Sequence, residues 1–455
     1  MNPKTYTGND LIAAGYRPGP WFRSALQGLN EGHISFEDLA ELAPKTRPMQ
    51  SLQPKCPTEI FLTADTPLAE VNLQAVKATI KDLSRVPTVR EIAVMPDACP
   101  AGPVGTIPVG GVAKTENAVH PGMHSADICC SMFRTELRTE EAKPVLDAIH
   151  ATTHFGYGGR PEHSTLPAAL QQRILDNPYT HRHHQRAKND LGTQGDGNHF
   201  AFVGTSDVSG KVSLVTHHGS RSFGAMVYKE GMQVAERFRK EICPEVHKGN
   251  AWIPMDTEDG HLYWEALQIV RDWTRLNHQV LHDAVLHRTM LDVERRYWNE
   301  HNFVFERDGF YYHGKGATPM WDYRSEDEWV TPERIVPLNM ASPILILDGG
   351  RAEALDFAPH GAGRNQSRTQ HIRSGVADFK RETAEIDARF FSGKADLSEL
   401  PSAYKDAATI EAEINHFELG RVVERILPYG SIMAGMQERP WMKRRKKKKG
   451  SSATR

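Results

Sequence analysis

Residues 358–364 read Ala-Pro-His-Gly-Ala-Gly-Arg, and they give the most direct indication of the chemistry of this chain. A proline restricts the backbone just before His360, and Gly361 and Gly363 remove the side chains just after it. Arg364 adds a planar set of donors suited to phosphate. Such a turn gives a phosphorus atom open access to the imidazole, with backbone N–H groups to hold its oxygens. An ordinary structural turn has the same composition, so residues elsewhere must decide between the two interpretations.

Composition indicates a globular protein with one large domain or two to three ordinary ones. The chain has 455 residues, of which 39% are hydrophobic and 25% are charged. The formal net charge is −2, but residues 443–455 hold eight Lys or Arg and no acid, so residues 1–442 carry a net charge of −10. A polyanion would therefore have to meet a local basic surface or a metal ion rather than a globally basic protein.

Cysteine usage and hydropathy indicate a reducing compartment. Five cysteines, an odd number that includes an adjacent pair, make a poor disulfide framework, which favours the cytoplasm and thiols free to bind metal. No apolar run reaches about 18 residues, so no membrane span is expected. The first residues also lack the apolar core of a signal peptide.

The order of sequence patterns predicts an α+β fold of mixed β-sheets with surrounding helices. Residues 1–50 are predicted as a small helical extension, residues 48–57 as a linker, and residues 443–455 as a disordered basic tail that is either solubilising or in contact with nucleic-acid phosphates. The clearest helical patterns cover about 66–85, 222–242, 261–298 and 404–426. The clearest strand patterns cover 59–62, 92–95, 212–216 and 344–347.

Four further clusters combine potential metal ligands with turn residues. They are Met-Pro-Asp (95–97) with Asp-Ile-Cys-Cys-Ser (127–131), Gly-Asp-Gly-Asn-His-Phe (195–200), Thr-His-His-Gly-Ser-Arg (216–221), and Glu-His-Asn (300–302) at the predicted end of a long helix. Each is also plausible as a turn or a helix end. Together they offer oxygen, sulfur and nitrogen ligands, which suit one or two divalent transition metals. Zinc and manganese both fit this set.

These motifs and their order resemble RtcB-type RNA ligases. The resemblance covers about residues 58–435, the predicted catalytic domain. It rests on Asp-Ile-x-Cys (127–130), Gly-Asn-His-Phe (197–200), His-x-Gly-Ser-Arg (217–221), His-Asn (301–302), His-x-Lys-Gly-Ala-Thr (313–318) and Pro-His-Gly-Ala-Gly-Arg (359–364). It implies an RtcB-like fold around a central metal and nucleotide cleft.

The resemblance also assigns roles to residues. It implies that two Mn²⁺ ions are bound by Asp127, Cys130, His199, His217 and His301. Cys130 would be the ligand shared by the two ions, and His360 would be the nucleophile that accepts GMP from GTP. Nucleotide contacts are implied for Asn198, His199, Phe202, Asn302, Pro337, Met340, His360, Gly361, Ala362, Gly363 and Tyr404. Tyr404 matches the tyrosine that stacks on guanine, while Arg221 and Lys315 would face RNA phosphates.

In this family, GMP passes from the histidine to an RNA 3′-phosphate, and a 5′-OH then displaces GMP to seal the strand. A 2′,3′-cyclic phosphate is hydrolysed first. A neutral imidazole can attack the α-phosphorus of GTP when metal ions neutralise the phosphate oxygens and pyrophosphate leaves in line. The resemblance thus implies RNA with these ends, GTP and Mn²⁺ as partners.

This sequence departs from the family pattern near the nucleotide. Cys99 stands where the family has histidine, and Phe202 stands where it has the glutamate that recognises guanine. The Pro-Gly-Ser-Met loop becomes Pro-Leu-Asn-Met (337–340), Ile344 aligns with a serine, and Met433 falls where a lysine contacts the nucleotide. Each missing partner of a buried guanine edge costs about 1–3 kcal/mol, so base preference is expected to be relaxed or changed.

Two alternatives to a GTP-dependent RNA ligase remain at this point. One is a nucleotidyltransferase that caps RNA ends without sealing them, with an altered nucleotide preference. The other is a non-catalytic RNA-binding homologue that keeps a structural metal site. Retention of the candidate nucleophile and of all five ligands favours an enzyme.

Overall fold

The computed structural model describes residues 5–16, 21–43, 47–100, 105–156, 164–323 and 331–436. The predicted basic tail, residues 443–455, lies outside the described residues. The chain divides into two compact units, residues 1–50 and 51–455. Helices and strands alternate irregularly along the larger unit, and the predicted α+β class is confirmed.

Thirteen α-helices occur within the described residues. They are α1 (Gly8–Ala13), α2 (Trp21–Asn30), α3 (Leu39–Leu42), α4 (Pro67–Leu83), α5 (Pro121–His124), α6 (Ala142–Thr152), α7 (Ala168–Asp176), α8 (His184–Asp190), α9 (Arg221–Ile242), α10 (Glu258–Thr289), α11 (Arg368–Ser374), α12 (Phe379–Glu382) and α13 (Ala407–His416). No helix in these parts of the chain is long and apolar enough to cross a membrane.

The strands of the described residues fall into four sheets. In chain order they are β1 (Thr58–Ile60), β2 (Val89–Cys99), β3 (Val109–Glu116), β4 (Ala118–Val119), β5 (Ser131–Leu137), β6 (Phe200–Ser206), β7 (Val212–His218), β8 (Ile253–Pro254), β9 (Val293–Glu300), β10 (Asn302–Arg307), β11 (Phe310–Lys315), β12 (Ala317–Pro319), β13 (Arg334–Val336), β14 (Ile344–Asp348), β15 (Phe357–Pro359), β16 (Asp387–Phe390) and β17 (Arg421–Met433).

The eight-stranded sheet has the order β13-β14-β17-β6-β7-β5-β9, with β16 paired to β17 outside that path. A five-stranded sheet has the order β1-β2-β3-β11-β10, and the pairs β12-β15 and β4-β8 complete the set. The register of the large sheet is antiparallel across β6, β7, β5 and β9. That register brings the start of one strand beside the end of the next.

The small unit, described by itself, packs α1, α2 and α3 around its own apolar residues. Leu11, Ala25, Leu29 and Leu39 form its buried centre. Helix α2 contributes Ala25 and Leu29 at helical spacing, because residues three or four positions apart share one face. Helix α3 has only four residues, since residues 36–38 before it form a turn.

Helix α10 organises the larger unit. Thr257 caps its start by accepting a hydrogen bond from Gly260 N, and Glu258 and Asp259 favour the positive end of the helix. Its buried face includes two histidines that bond to sheet hydroxyls: His278 Nδ1 lies 2.7 Å from Thr216 Oγ1, and His282 Nδ1 lies 2.8 Å from Thr135 Oγ1. The helix therefore holds β5 and β7 through polar as well as apolar contacts.

Two predicted helices are too long. The helix predicted for 261–298 ends at Thr289, where Met290 adopts a left-handed backbone (φ 55°), and β9 follows. His301 thus lies between β9 and β10, and Asn302 begins β10, so neither is at a helix end. The helix predicted for 404–426 ends at His416, and the rest of the segment enters β17. In both cases pairing within a sheet outweighs local helical preference.

Candidate active site

Four neighbouring strands carry candidate metal ligands at the same end. His199 lies directly before β6, His217 near the end of β7, Cys130 directly before β5, and His301 directly after β9. Since these strands are antiparallel, starts and ends alternate across the sheet, and all four side chains meet at one end of it. The His301 N–H donates to Cys130 O (3.0 Å), which fixes the two ligands relative to each other.

The ligand atoms form two groups that share one sulfur. Cys130, His217 and His301 make the first group, and Asp127, Cys130 and His199 make the second; within each group the ligand atoms lie within 4.8 Å of one another. Cys130 Sγ is 3.2 Å from His217 Nε2 and 3.4 Å from His199 Nε2. His199 Nε2 is 2.9 Å from Asp127 Oδ2. All five residues predicted as metal ligands are therefore together.

The protonation of these groups suits a cation. Burial lowers the pKa of His217 to about 3 and that of His301 well below its ordinary value, so both rings are neutral near pH 7. His217 Nδ1 lies 3.1 Å from Asn198 O, and because a carbonyl only accepts, Nδ1 carries the proton and Nε2 keeps its lone pair. The Nε2 atoms of His217 and His301 are only 3.1 Å apart. The two ring nitrogens are thus close enough to serve as ligands of one cation.

The thiol of Cys130 also requires a nearby cation if it is to ionise. Burial, together with the nearby Asp127, raises the pKa of its thiol well above the ordinary value. A thiolate at this position therefore needs a positive ion beside it. Carboxylate, thiolate and imidazole in one cluster fit a divalent transition metal, with zinc and manganese both compatible.

His360 stands beside this cluster and is oriented by a carboxylate. Its ring centroid lies 4.9 Å from that of His301. Its Nδ1 lies 2.6 Å from Oδ2 of Asp97, which is fully buried at the carboxyl end of β2. The carboxylate accepts a hydrogen bond from Nδ1–H, so in the neutral ring the Nε2 of His360 carries the lone pair. This is the arrangement required of an imidazole nucleophile.

Two glycines hold these groups by close contact. A Cβ at Gly219 would lie 2.0 Å from Oδ1 of Asp127, so any side chain there would displace that ligand. A Cβ at Gly363 would lie 1.9 Å from Asp97 O, and the φ of Gly363 is +67°, a left-handed backbone that favours glycine. Both glycines belong to motifs singled out in the sequence.

A cleft of about 890 Å³ opens beside His360. Nine of the residues predicted to contact the nucleotide line it, namely Asn198, Phe202, Pro337, Met340, His360, Gly361, Ala362, Gly363 and Tyr404. Two others do not: His199 belongs to the metal-ligand cluster, and Asn302 Oδ1 accepts a hydrogen bond from Gly316 N (2.7 Å). The departures Cys99, Ile344 and Met433 also line the cleft.

Arg364 lines the cleft, and two of its guanidinium nitrogens are bonded within the protein. Its Nη1 donates to Ser398 O (2.7 Å) and its Nη2 to Glu399 Oε2 (2.5 Å). Its guanidinium carbon lies 4.4 Å from the ring centroid of Tyr404, whose hydroxyl donates to the same Glu399 (2.5 Å). Arg368 Nε completes the set with a bond to Glu399 Oε1 (2.5 Å). Arg364 thus serves to position Tyr404.

The two residues predicted to face RNA phosphates differ in placement. Lys315 lines the cleft, where its Nζ donates to Ile107 O (3.1 Å) and burial lowers its pKa to about 8. Arg221 is not among the lining residues, and its guanidinium bonds to Thr193 Oγ1 (3.2 Å) and Gly156 O (2.7 Å). Lys315 alone of the pair is placed to meet a ligand in the cleft.

Sequence reasoning missed three contributors to this site. Asp97 was noticed only as part of a turn cluster, although it precedes His360 by 263 positions and bonds to it. Glu399 carried no motif at all, and only the fold brings it to Arg364 and Tyr404. Ser431 lies on β17 directly opposite Phe202, a pairing that sequence alone does not reveal.

Comparison with known proteins agrees with the resemblance. The family described as tRNA-splicing ligase RtcB matches residues 163–434. The chain is similar to the tRNA-splicing ligase RtcB of Aeropyrum pernix (26% identical over 415 residues, 71% of this chain and 84% of the relative) and that of Archaeoglobus fulgidus (24% over 440 residues, 78% and 90%). It is also similar to the RNA-splicing ligase RtcB of Mycobacterium bovis (25% over 403 residues, 71% and 93%).

Proposed function

The chain belongs to the tRNA-splicing ligase RtcB family, and we propose that it is a Mn²⁺-dependent RNA ligase that joins 3′-phosphate or 2′,3′-cyclic phosphate ends to 5′-OH ends, with GTP as co-substrate. The proposed catalytic domain spans residues 58–435, with residues 1–50 as a separate helical extension. The observation that carries this proposal is the position of His360. Its Nδ1 is bound by Asp97, and its ring is 4.9 Å from that of the candidate metal ligand His301.

The residues that would hold the metal ions are Asp127, Cys130, His199, His217 and His301. When bound, Mn²⁺ supplies positive charge that offsets the negative oxygens of a triphosphate or of an RNA phosphate. The paired ligand groups with a shared Cys130 support a two-ion site. The preference for manganese over zinc comes from the family and is part of the proposal.

In the first step, the Nε2 lone pair of His360 attacks the α-phosphorus of GTP. The Nε2–P bond forms, the bond from the α-phosphorus to the bridging oxygen breaks, and pyrophosphate leaves with that electron pair. Asp97 accepts the hydrogen bond from Nδ1–H throughout and stabilises the positive charge that the ring acquires on bonding to phosphorus. The result is His360 carrying GMP.

In the later steps GMP is transferred from His360 to the RNA. An oxygen of the RNA 3′-phosphate attacks the phosphorus of the bound GMP, and the N–P bond breaks, which gives an activated RNA end. The 5′-OH of the second RNA end then attacks the 3′-phosphate, GMP leaves, and a 3′,5′-phosphodiester forms. A cyclic phosphate must first be opened by water.

Covalent labelling tests the first step. The protein is incubated with α-labelled GTP and Mn²⁺, and label on the protein is measured after denaturation. We expect label on the wild type and on His416→Ala, a control at an exposed histidine, but none on His360→Ala. Label that persists on His360→Ala would exclude His360 as the nucleophile.

Sealing assays distinguish the remaining possibilities. RNA pairs with 3′-phosphate and 5′-OH ends are added to the labelled protein, and joined product is measured on a denaturing gel. Joined RNA supports the ligase. Label with capped but unjoined RNA would instead show an end-capping nucleotidyltransferase. Metal bound with no label from any nucleotide would show a non-catalytic homologue.

A further inference from the structure

An apolar face of the large sheet lines the cleft beside His360 and the candidate metal ligand His217. On this face Phe200 is opposite both His217 and Met433. The next pair on the same face, Phe202 and Ser431, lies two residues further along the strands from His217. Directly opposed residues project from the same face of a sheet. A nucleotide whose phosphates meet the metals therefore places its base against this apolar face.

One carboxylate is present among the described residues that line the cleft, and it is fully engaged. Glu399 is 1% exposed and receives bonds from Arg364, Arg368 and Tyr404 on its two oxygens. Each partner is within 2.5 Å. Glu399 therefore positions the aromatic ring of Tyr404 and does not offer an acceptor to a base.

Two buried neutral polar atoms in the described lining of the cleft have no hydrogen-bond partner. Ser431 is 2% exposed, and its Oγ has no hydrogen-bond partner; the buried Oδ1 of Asn365 likewise has none. Both residues line the cleft. A hydroxyl donates and accepts, and a carboxamide has one atom for each purpose.

Such groups select weakly between the two purines. The edge of guanine presents two N–H donors beside a carbonyl, and a carboxylate would accept from both donors at once. The edge of adenine presents one amino donor beside a ring acceptor. A hydroxyl can rotate, and a carboxamide can flip, to satisfy either pattern. The half-buried aromatic rings of Phe200 and Tyr404, which also line the cleft, do not distinguish the bases by stacking.

We propose that the base end of this cleft accepts adenine as well as guanine, so that ATP and GTP are both substrates of the same site. This inference rests on the proposed function for the reaction itself. It concerns the recognition of the base alone, which is measured separately from the transfer.

Binding to His360→Ala tests the inference without catalysis. Isothermal titration with GTP and with ATP, each with Mn²⁺, gives the ratio of the two dissociation constants, and labelling of the wild type is measured in parallel. We expect the constants to agree within about tenfold, since a single missing charge-assisted acceptor changes affinity by about that factor or more. A preference for GTP above about tenfold overturns the inference.

The parallel assays separate the two proposals. If ATP and GTP bind alike but neither labels the wild type, the inference stands and the proposed reaction fails. If GTP alone binds and labels, the reaction stands and the inference fails. If neither nucleotide binds, both are wrong.

A matched pair of variants locates the effect. Ser431→Asp places an acceptor-only group opposite Phe202, and we expect it to raise the GTP:ATP preference more than about tenfold. Ser431→Ala removes the hydroxyl, and we expect it to weaken both nucleotides by a similar factor. A shift of the ratio in Ser431→Ala beyond about tenfold would show that Ser431 already selects one base. If Ser431→Asp does not fold, the wild-type ratio still decides.

Discussion

At the reactive end of the site, five side chains bring nitrogen, oxygen and sulfur atoms into two groups, within each of which the atoms lie within 4.8 Å of one another, and strand register fixes four of the five. At the other end, the buried side chains of Phe202, Ile344 and Met433 form an apolar lining, and the buried Ser431 Oγ has no partner. The first end cannot lose a member without losing its shared ligand geometry. The second can exchange side chains of similar volume at small cost. The first end therefore bears on whether nucleotidyl transfer can occur, and the second on which nucleotide is used.

The largest expected effect comes from the ligand that both metal groups share. Cys130→Ala should abolish two-metal binding and reduce labelling by GTP about 10³-fold or more, because neither group keeps three ligands. Metal content by mass spectrometry and labelling rate are the measurements. Cys56→Ala, at a half-buried thiol outside both groups, is the control. Two bound ions in Cys130→Ala would contradict the assignment of Cys130 as the ligand shared by both groups.

A smaller effect is expected at the carboxylate that orients His360. Asp97→Ala should slow labelling about 10²-fold or more while leaving metal content unchanged, because the ring loses the acceptor that keeps its proton on Nδ1. The rate of single-turnover labelling checks this. An unchanged rate would mean that the 2.6 Å contact with Nδ1 has no part in the reaction.

The next effect acts on a ligand through a backbone position. Gly219→Ala should weaken metal affinity about 10–100-fold, since its Cβ would lie 2.0 Å from Asp127 Oδ1 and displace that carboxylate. Titration with Mn²⁺ gives the affinity. In the matched control Gly420→Ala, the nearest atom to the Cβ is 3.4 Å away. Equal affinities in the two variants would contradict the assigned role of Asp127.

The smallest effect is expected from Lys315. Burial lowers its pKa to about 8, so the side chain is cationic below that pH and neutral above it. Between pH 7 and pH 9 the affinity for a triphosphate should fall by up to about tenfold, as one pH unit above the pKa leaves about a tenth of the lysine charged. Lys315→Met should bind more weakly than the wild type at pH 7 and lose this part of the pH response. The same pH dependence of triphosphate affinity in both proteins would show that the charge of Lys315 does not contribute to binding.

The fold class could be predicted from sequence because strand segments leave local marks: residues 344–347 form a continuous apolar run, and residues 212–216 are rich in β-branched and apolar side chains. Cys130, His217 and His301 stand in motifs with turn residues beside them, and the family resemblance gave the five candidate ligands, which the fold brings together. The helix predicted through residue 298 was wrong because β9 has no strong local signal. Its pairing with β5, far away in the sequence, determines the structure of that segment.

The connections between distant residues could not be predicted. Arg364 has the chemistry of a phosphate ligand, yet Glu399 binds it 35 positions later, and no pattern joins the two. Asp97 and His360 likewise come from separate sheets. Such contacts arise from tertiary packing, and no local sequence pattern indicates them.

The placement of ligands at the ends of β6, β7, β5 and β9 has a consequence for the life of the protein before any reaction. An ion bound there ties four strands at one point, so its binding energy adds to the resistance of the sheet to unfolding. Under the proposed metal dependence, a chain made when the metal is scarce would be not only inactive but also more exposed to proteolysis. The abundance of the protein, and not its turnover alone, would follow the supply of metal.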